Sequence, residues 1–479
     1  MSKISKNYLY NLIYQVVVLI LPLLITPYVA RVLGAHQLGI YDYVNSIVTL
    51  VYTLGLLGIG HYGNRECAYT RDDREELSET FWSILAIQII LGFFSLLFLY
   101  IFSNINSNYQ VYFQLFSIWL FGSILDCTWF YRGLEEMQYV VLKNIIAKLL
   151  FTIATFLFVK SETDLTLYVL IYGLSVLVAN VSAYSQLRMF ISRPKINIHR
   201  FMEIILGSLK LFLPSIIMQI MLSADKIVLG SLSSGISNVS YYSNAEKIIQ
   251  IPLSLIVVLN SVMMPRIANE FRNRRLENMK KYLITAAEFS LFLAVPLSIG
   301  LYAIADTFVP WFLGESFMPS MDALKWLAPI AVGNALLGVS GSQYFVAVNK
   351  TKVLFFSNTL AAILNILLDL LLAPRFGVVG VCLATIVSLT SSVIVQYYIM
   401  SKDIPILPIL KSLFKYLIYS MIMGIIIIVP FRGYPANYGT TIKQIVLGII
   451  VYFGLSLLTR DIFVFQALDF VKKGFKRSR

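Results

Sequence analysis

Two groups of residues place charge or hard oxygen donors inside otherwise apolar stretches of this chain. In AAILNILLDLLLA (361–373), Asn365 and Asp369 stand four apart, so a helix puts them on one face. Thr385 lies in the next apolar run, and Asp225 at similar depth in an earlier one. Carboxylate, amide and hydroxyl oxygens suit a hard monovalent cation such as Na⁺ better than a soft metal. A proton can use the same carboxylates if burial raises their pKa values. The competing reading keeps Asp225 and Asp369 hydrated near the outer interface, paired with Lys226 and Arg375. The second group is basic: Lys247, Arg31, Lys148, Arg132 and Lys210. Lys247 falls about eight residues into its run, about 13 Å deep at helical rise. An ionisable group at such depth is costly and faces a cavity or a partner. Basic groups in a cavity suit an anionic ligand such as phosphate. Glu246 offers the alternative of a structural ion pair, although adjacent helical residues point about 100° apart. Arg31 and Arg132 also fit interfacial anchors, and Asp126 can pair with Lys148 across neighbouring runs, muting both.

The elements that must position these residues are membrane spans. About fourteen apolar runs fill the 479 residues, with 58% hydrophobic residues, 13% charged residues and a mean hydropathy of +0.77. Crossing about 30 Å of hydrocarbon takes roughly 20 helical residues, and no backbone amide can stay unpaired in lipid. The spans are expected near 8–30, 38–60, 80–102, 111–130, 140–159, 166–188, 204–230, 239–264, 283–305, 323–347, 352–373, 378–400, 413–430 and 441–459. Strand alternation is absent, which excludes a barrel. The first run is too long for a secretory leader and reads as retained.

Lys and Arg collect on the cytoplasmic side of spans. With the N-terminus inside, about 30 of the 38 fall in cytoplasmic segments, the densest being 188–200, 266–281 and the tail. Both termini are therefore expected in the cytoplasm. The net charge of +13 is topological, which argues against a nucleic-acid partner. Cys67, Cys127 and Cys382 read as reduced packing residues, and His36, His61 and His199 are scattered. No metal, catalytic-triad or nucleotide motif is present, and no cofactor is expected. Trp129, Phe130 and Tyr131 read as an inner aromatic belt. In the 461–479 tail, Phe463, Phe465, Leu468, Phe470 and Val471 precede late basic residues, as in a helix lying on an anionic inner leaflet; a solvated tail is the alternative.

A repeat organises the runs. ARVLGAHQLGIYDYVNSIV (30–48) and DKIVLGSLSSGISNVSYYSNAEKII (225–249) both read basic residue, aliphatics, Leu-Gly, small-residue turn, tyrosines and Asn, about six helices apart. An even number of spans makes such halves parallel repeats about an axis along the membrane normal. The expected organisation is all-α integral membrane: a six-helix lobe at 1–200, a pseudo-symmetric six-helix lobe at 201–402, a helix pair at 403–460 and a basic cytoplasmic tail at 461–479.

ARVLG followed by GIYDY, GNRE (63–66), WFYRGLEEM (129–137), AEKIIQIPLSLI (245–256), MMPRIA and FGVVGVCLAT (376–385) resemble polysaccharide flippases of the multidrug/oligosaccharidyl-lipid/polysaccharide exporter superfamily along nearly the whole chain. The resemblance implies two lobes around a central cavity and translocation of undecaprenyl-pyrophosphate-linked oligosaccharides to the outer leaflet. Capsule, exopolysaccharide or O-antigen-type assembly in the bacterial cytoplasmic membrane would be served. It implies membrane lipids as surroundings, and a glycan polymerase and glycosyltransferases as neighbours. Lys247 matches a functional arginine of lipid II flippases. Asp225, Asn365, Asp369, Val381 and Thr385 match their sodium site, Val381 through its carbonyl. The expected mechanism is alternating access, with Gly34, Gly39, Gly377 and Gly380 as hinges or close-packing positions. A teichoic-acid precursor flippase and a multidrug/cation antiporter are the rival readings. A membrane glycan polymerase or glycosyltransferase is disfavoured, since the longest external connection, 305–322, holds only Asp306, Glu315 and Asp322.

Overall fold

The computed structural model describes residues 3–193, 196–232 and 235–465, and its regular elements are all helical. In chain order they are α1 Lys3–Gly55, α2 Ile59–Thr70, α3 Arg74–Ile105, α4 Gln110–Ile124, α5 Thr128–Gly133, α6 Gln138–Phe158, α7 Leu165–Ala183 and α8 Phe201–Leu232. There follow α9 Ser237–Arg272, α10 Leu276–Leu313, α11 Ser320–Leu327, α12 Ile330–Leu337, α13 Thr351–Met400, α14 Leu407–Ile428 and α15 Tyr438–Leu458. Among the described residues nine helices are long and apolar enough to cross a membrane, or up to eleven if each of two bent pairs forms one span.

Two of the longest helices are broken by glycine. α13 has 50 residues, about 75 Å at helical rise and more than twice the hydrocarbon thickness. It is interrupted at Gly377 (φ 55°, ψ −129°), between the runs expected at 352–373 and 378–400. α1 is interrupted in the same way at Gly34 (φ 73°, ψ 173°). Both conformations are open to glycine and strained for other residues. Lipid is the solvent that the outer faces require. On α3 the side chains of Phe93, Phe94, Phe98 and Ile101 are all exposed, Phe93 to 61%, far more contiguous apolar surface than a protein in water presents.

The chain forms two compact units, Met1–Ser240 and Tyr241–Arg479. The first has a core built from Leu56, Phe81, Ile84, Trp129, Phe130, Tyr131, Leu187 and Ile204. The aromatic triplet is therefore interior and not an interfacial belt. The α4 helix ends before Cys127, so the triplet continues on the short α5, which packs against α2. Glycine permits that approach, since a Cβ on Gly63 would lie 2.5 Å from the Trp129 ring. Tyr131 donates to the Ala183 carbonyl.

In the second unit Met279, Leu291, Phe292, Tyr344, Tyr416, Tyr452 and Phe463 share a core. The start of the tail belongs to it. Buried Asp461 accepts from Lys415 Nζ at 2.5 Å and from the Tyr416 hydroxyl at 3.1 Å. Phe463 lies 5.1 Å from Phe289 and 5.7 Å from Phe292. Phe463 is thus a core residue and not a lipid-facing one, because the buried ion pair turns the chain inward after α15. Leu468, Phe470 and Val471 lie outside the described residues.

Candidate functional site

The glycine break in α13 sets out most of the oxygen-bearing group. Its first half carries Asn365 and Asp369, both buried, Asp369 at 0% exposure. Asn365 Nδ2 has no hydrogen-bond partner among the described residues. Its second half carries Val381 and Thr385, and Thr385 Oγ1 donates to the Val381 carbonyl at 2.9 Å. The Tyr242 hydroxyl lies 3.3 Å from Thr385 Oγ1. Tyr242 is one of the paired tyrosines of the repeat, so it had a sequence signal that its aromatic type concealed. Asp225 is buried on α8, in the first unit, while the other four belong to the second. Both carboxylates are buried, Asp225 at 4% exposure. Arg375 is exposed beside the break.

The basic residues divide between the units. Arg31 is exposed on α1, one turn before the Gly34 break; Lys148 is half-buried in the middle of α6; Lys210 is exposed on α8. Lys247 is exposed on α9 in the second unit, next to half-buried Glu246. Asp126 does not pair with Lys148. Its Oδ1 accepts from the Thr128 amide at 2.8 Å and its Oδ2 from Thr128 Oγ1 at 3.0 Å. The reason lies in the break between α4 and α5, which leaves amides that a nearby carboxylate satisfies.

Arg132 lines a polar cavity of about 250 Å³ within the first unit, together with Tyr52, His61, Asn64, Gln88 and Asp126. Gln88 organises its inner wall. Gln88 Nε2 donates to the Ile124 and Asp126 carbonyls at 2.6 and 2.8 Å, and its Oε1 accepts from Trp129 Nε1 at 3.0 Å. His61, Asn64 and Gln88 carried no spacing signal, since a chain break brings them together and not a helical period. In the second unit an apolar cavity of about 390 Å³ lies among α9, α10, α14 and α15, lined by Pro252, Phe292, Pro296, Met423, Ile449 and Tyr452 among others. The Tyr452 hydroxyl is occupied by the Phe292 carbonyl at 2.7 Å.

Comparison with known proteins gives these features a family. The family model described as polysaccharide biosynthesis protein matches residues 4–271, and the MatE model matches 211–371. The chain is 23% identical over 393 residues to the "Putative O-antigen transporter" of Escherichia coli (strain K12), covering 79% of this chain and 92% of that protein. It is 26% identical over 254 residues to the "Probable lipid II flippase MurJ" of Thermotoga maritima, 52% of this chain and 51% of that one. Among solved structures, lipid II flippase MurJ in an inward closed conformation superposes with a TM-score of 0.73 at 18% identity, covering 94% of this chain and 100% of that chain. An inward-facing multidrug resistance MATE transporter gives 0.67 at 14% identity, over 81% and 94%. The chain has the helical fold of these transporters, and it belongs to the polysaccharide biosynthesis protein family, within the multidrug/oligosaccharidyl-lipid/polysaccharide exporter superfamily.

Proposed function

We propose that this protein flips undecaprenyl-pyrophosphate-linked oligosaccharide repeat units from the inner to the outer leaflet of a bacterial cytoplasmic membrane, for capsule, exopolysaccharide or O-antigen-type assembly. The observation that carries the reading is the match of residues 4–271 to a polysaccharide family in a chain built of membrane-spanning helices. Such a substrate needs a protein because its head cannot cross alone: each unsatisfied polar group in hydrocarbon costs several kcal/mol. Fourteen crossings with both termini in the cytoplasm, in lobes 1–200 and 201–402 plus a helix pair, complete the topology.

Lys247 takes the leading role in binding the pyrophosphate, with Arg31, Lys148, Arg132 and Lys210 as further basic contacts. The polyprenyl tail stays apolar throughout, and the cavity beside α14 and α15, with its one nearby hydroxyl already engaged, suits it. Na⁺ or H⁺ at Asp225, Asn365, Asp369, Val381 and Thr385 resets the inward state. The donors are hard oxygens, as such an ion requires. The lobes alternate access to the cavity, and a polymerase and glycosyltransferases act before and after the flip.

The test is complementation of a deletion strain. The wild-type gene restores surface glycan, and Lys247→Ala leaves glycan low while lipid-linked repeat units accumulate inside. A deletion strain that has no second flippase and yet displays normal glycan overturns the reading. The MatE match at 211–371 favours a multidrug extruder as second reading. That alternative predicts lost dye resistance with intact glycan in the same strain.

A further inference from the structure

The Thr385 hydroxyl has one proton and two places within reach to put it. Its Oγ1 donates to the Val381 carbonyl at 2.9 Å, and the Tyr242 hydroxyl lies 3.3 Å from the same oxygen. All three residues belong to the second unit. Tyr242 is buried on α9 at 2% exposure, while Val381 and Thr385 follow the Gly377 break on α13.

A threonine inside a helix commonly returns its proton to the carbonyl four residues back, and here that bond closes Val381. The carbonyl has two lone pairs. Helical pairing gives one to the Thr385 amide, and the Thr385 hydroxyl takes the other. While the proton rests there, the Val381 carbonyl has no lone pair to offer an ion. The Tyr242 contact supplies the way out. At 3.3 Å it is longer than the roughly 2.7–2.8 Å of a settled hydroxyl bond, so it is an acceptor within reach and not one already engaged. Turning the hydrogen about the Cβ–Oγ1 bond hands it to the phenol oxygen, with the Thr385 oxygen itself left in place. The Val381 carbonyl is then released, and the Thr385 oxygen keeps lone pairs of its own.

The neighbouring donors are not a finished structural network either. Asn365 Nδ2 is buried without a hydrogen-bond partner among the described residues, and an orphaned buried group costs about 1–3 kcal/mol. Its carboxamide is not anchored through the nitrogen and can present its oxygen. The repeat supplies a contrast. Tyr43-Val44-Asn45 is the first-repeat counterpart of Tyr242-Ser243-Asn244, and the Tyr43 hydroxyl lies 3.2 Å from Ser231 Oγ, a serine outside the oxygen-bearing group.

We propose that Tyr242 is a positioning residue for the cation group: it takes the Thr385 proton off the Val381 carbonyl, so that Val381 and Thr385 present oxygen together. The proposal rests on the cation part of the proposed function and selects Na⁺ within it. A proton settles on one carboxylate oxygen and gains nothing from a freed carbonyl, whereas a hard metal cation takes several oxygens at once.

The full chain in detergent is titrated with NaCl against choline chloride at fixed ionic strength, and the thermal midpoint is read at each step, since a ligand held by the folded state raises it. Wild type shows a saturable rise, and Asp369→Asn shows none. Tyr242→Phe keeps the ring and needs about threefold to tenfold more Na⁺ for half of the rise, the scale of one net hydrogen bond. Thr385→Val weakens the response as well, and adding Tyr242→Phe to it changes nothing further, as expected of two residues acting through one hydroxyl. Tyr43→Phe deletes the counterpart hydroxyl and leaves the Na⁺ dependence at wild type. A merely structural Tyr242 would lower the midpoint without Na⁺ and leave the half-rise concentration unmoved, which overturns the proposal. Losses that multiply in the double variant overturn it too. Both of those failures leave the wild-type rise and its dependence on Asp369 intact. A wild-type midpoint that follows pH alone, or neither ion, is the separate failure of the Na⁺ reading and removes the role of Tyr242 with it.

Discussion

At the scale of residues, the interior of the first unit depends on small groups placed against large ones. Trp129 is held by Gln88 and the Asp126 carbonyl at its indole nitrogen, by Phe81 at 5.4 Å and by Gly63 against its ring. Gly63→Ala adds a methyl at 2.5 Å from an indole held by these contacts. Ala normally gains about 1 kcal/mol over Gly in a helix, but overpacking costs typically 1–3 kcal/mol. The expected outcome is a lowered thermal midpoint in detergent, and a raised one would show that the indole yields. None of this was legible in WFYRG, where three aromatics in a row after an apolar run fit an interfacial belt equally well. What separates belt from core is the break before Thr128, and that break is held by Gln88 from another helix.

A second residue effect lies at the other end of the chain. Asp403, just past α13, accepts from Lys350 Nζ at 2.8 Å and from the Tyr344 hydroxyl. The Lys350 hydrogen bond first, and the Tyr344 one next, hold its carboxyl below the usual carboxylate range. A carboxyl depressed in the folded state stabilises fully above its unfolded pKa of about 3.9, and the contribution is lost as pH falls through the folded value. Asp403→Asn should therefore lower the thermal midpoint slightly at neutral pH and match wild type in acid. The pair is half-exposed, and exposed pairs contribute about 0–1 kcal/mol. A difference that grows toward low pH would contradict the assignment.

At the scale of elements, apolar length was the legible signal. The run expected at 140–159 is α6, Gln138–Phe158, and the run at 441–459 is α15, Tyr438–Leu458. In these cases lipid imposes the length and little else competes. Interruptions were harder to see. The run expected at 323–347 arrives as α11, α12 and a π-helical stretch, Gly338–Phe345, with Pro329 accounting for the first break. The π-helical stretch packs against both α10 and α13, a tertiary setting that no local pattern encodes. The glycines expected as hinges or packing points divide cleanly. Gly34 and Gly377 take positive φ, while Gly39 and Gly380 are close approaches, where a Cβ would lie 2.2 Å from the Ile236 carbonyl and 2.4 Å from the Leu372 carbonyl. Gly34→Ala forces a side chain into a glycine-only conformation at a cost of order 1–3 kcal/mol. It has room, since only Glu162 comes near its Cβ, at 3.6 Å, so strain and not crowding is what a lowered thermal midpoint would measure. An unchanged midpoint would mean that the break moves elsewhere in α1.

At the scale of the whole molecule, an ion gradient drives a flippase only if the ion distinguishes its states, since a ligand shifts an equilibrium by no more than its differential affinity. Asp369 is the residue on which that requirement bears most. It is buried on a helix whose surrounding residues are almost all apolar, so its charge state weighs on the conformation around it. If Na⁺ or H⁺ binds there in one state better than in the other, occupancy and conformation become linked. Asp369→Asn keeps the shape and removes the charge. Reconstituted protein carrying a lipid-linked oligosaccharide should respond to an imposed Na⁺ or pH gradient, and Asp369→Asn should flip at a rate indifferent to both while its thermal midpoint stays near wild type. A merely structural Asp369 would move the midpoint and leave gradient dependence intact. Equal gradient responses in the two proteins would remove both the Na⁺ and the H⁺ versions of coupling, and the direction of transport would then have to come from consumption of the flipped product outside.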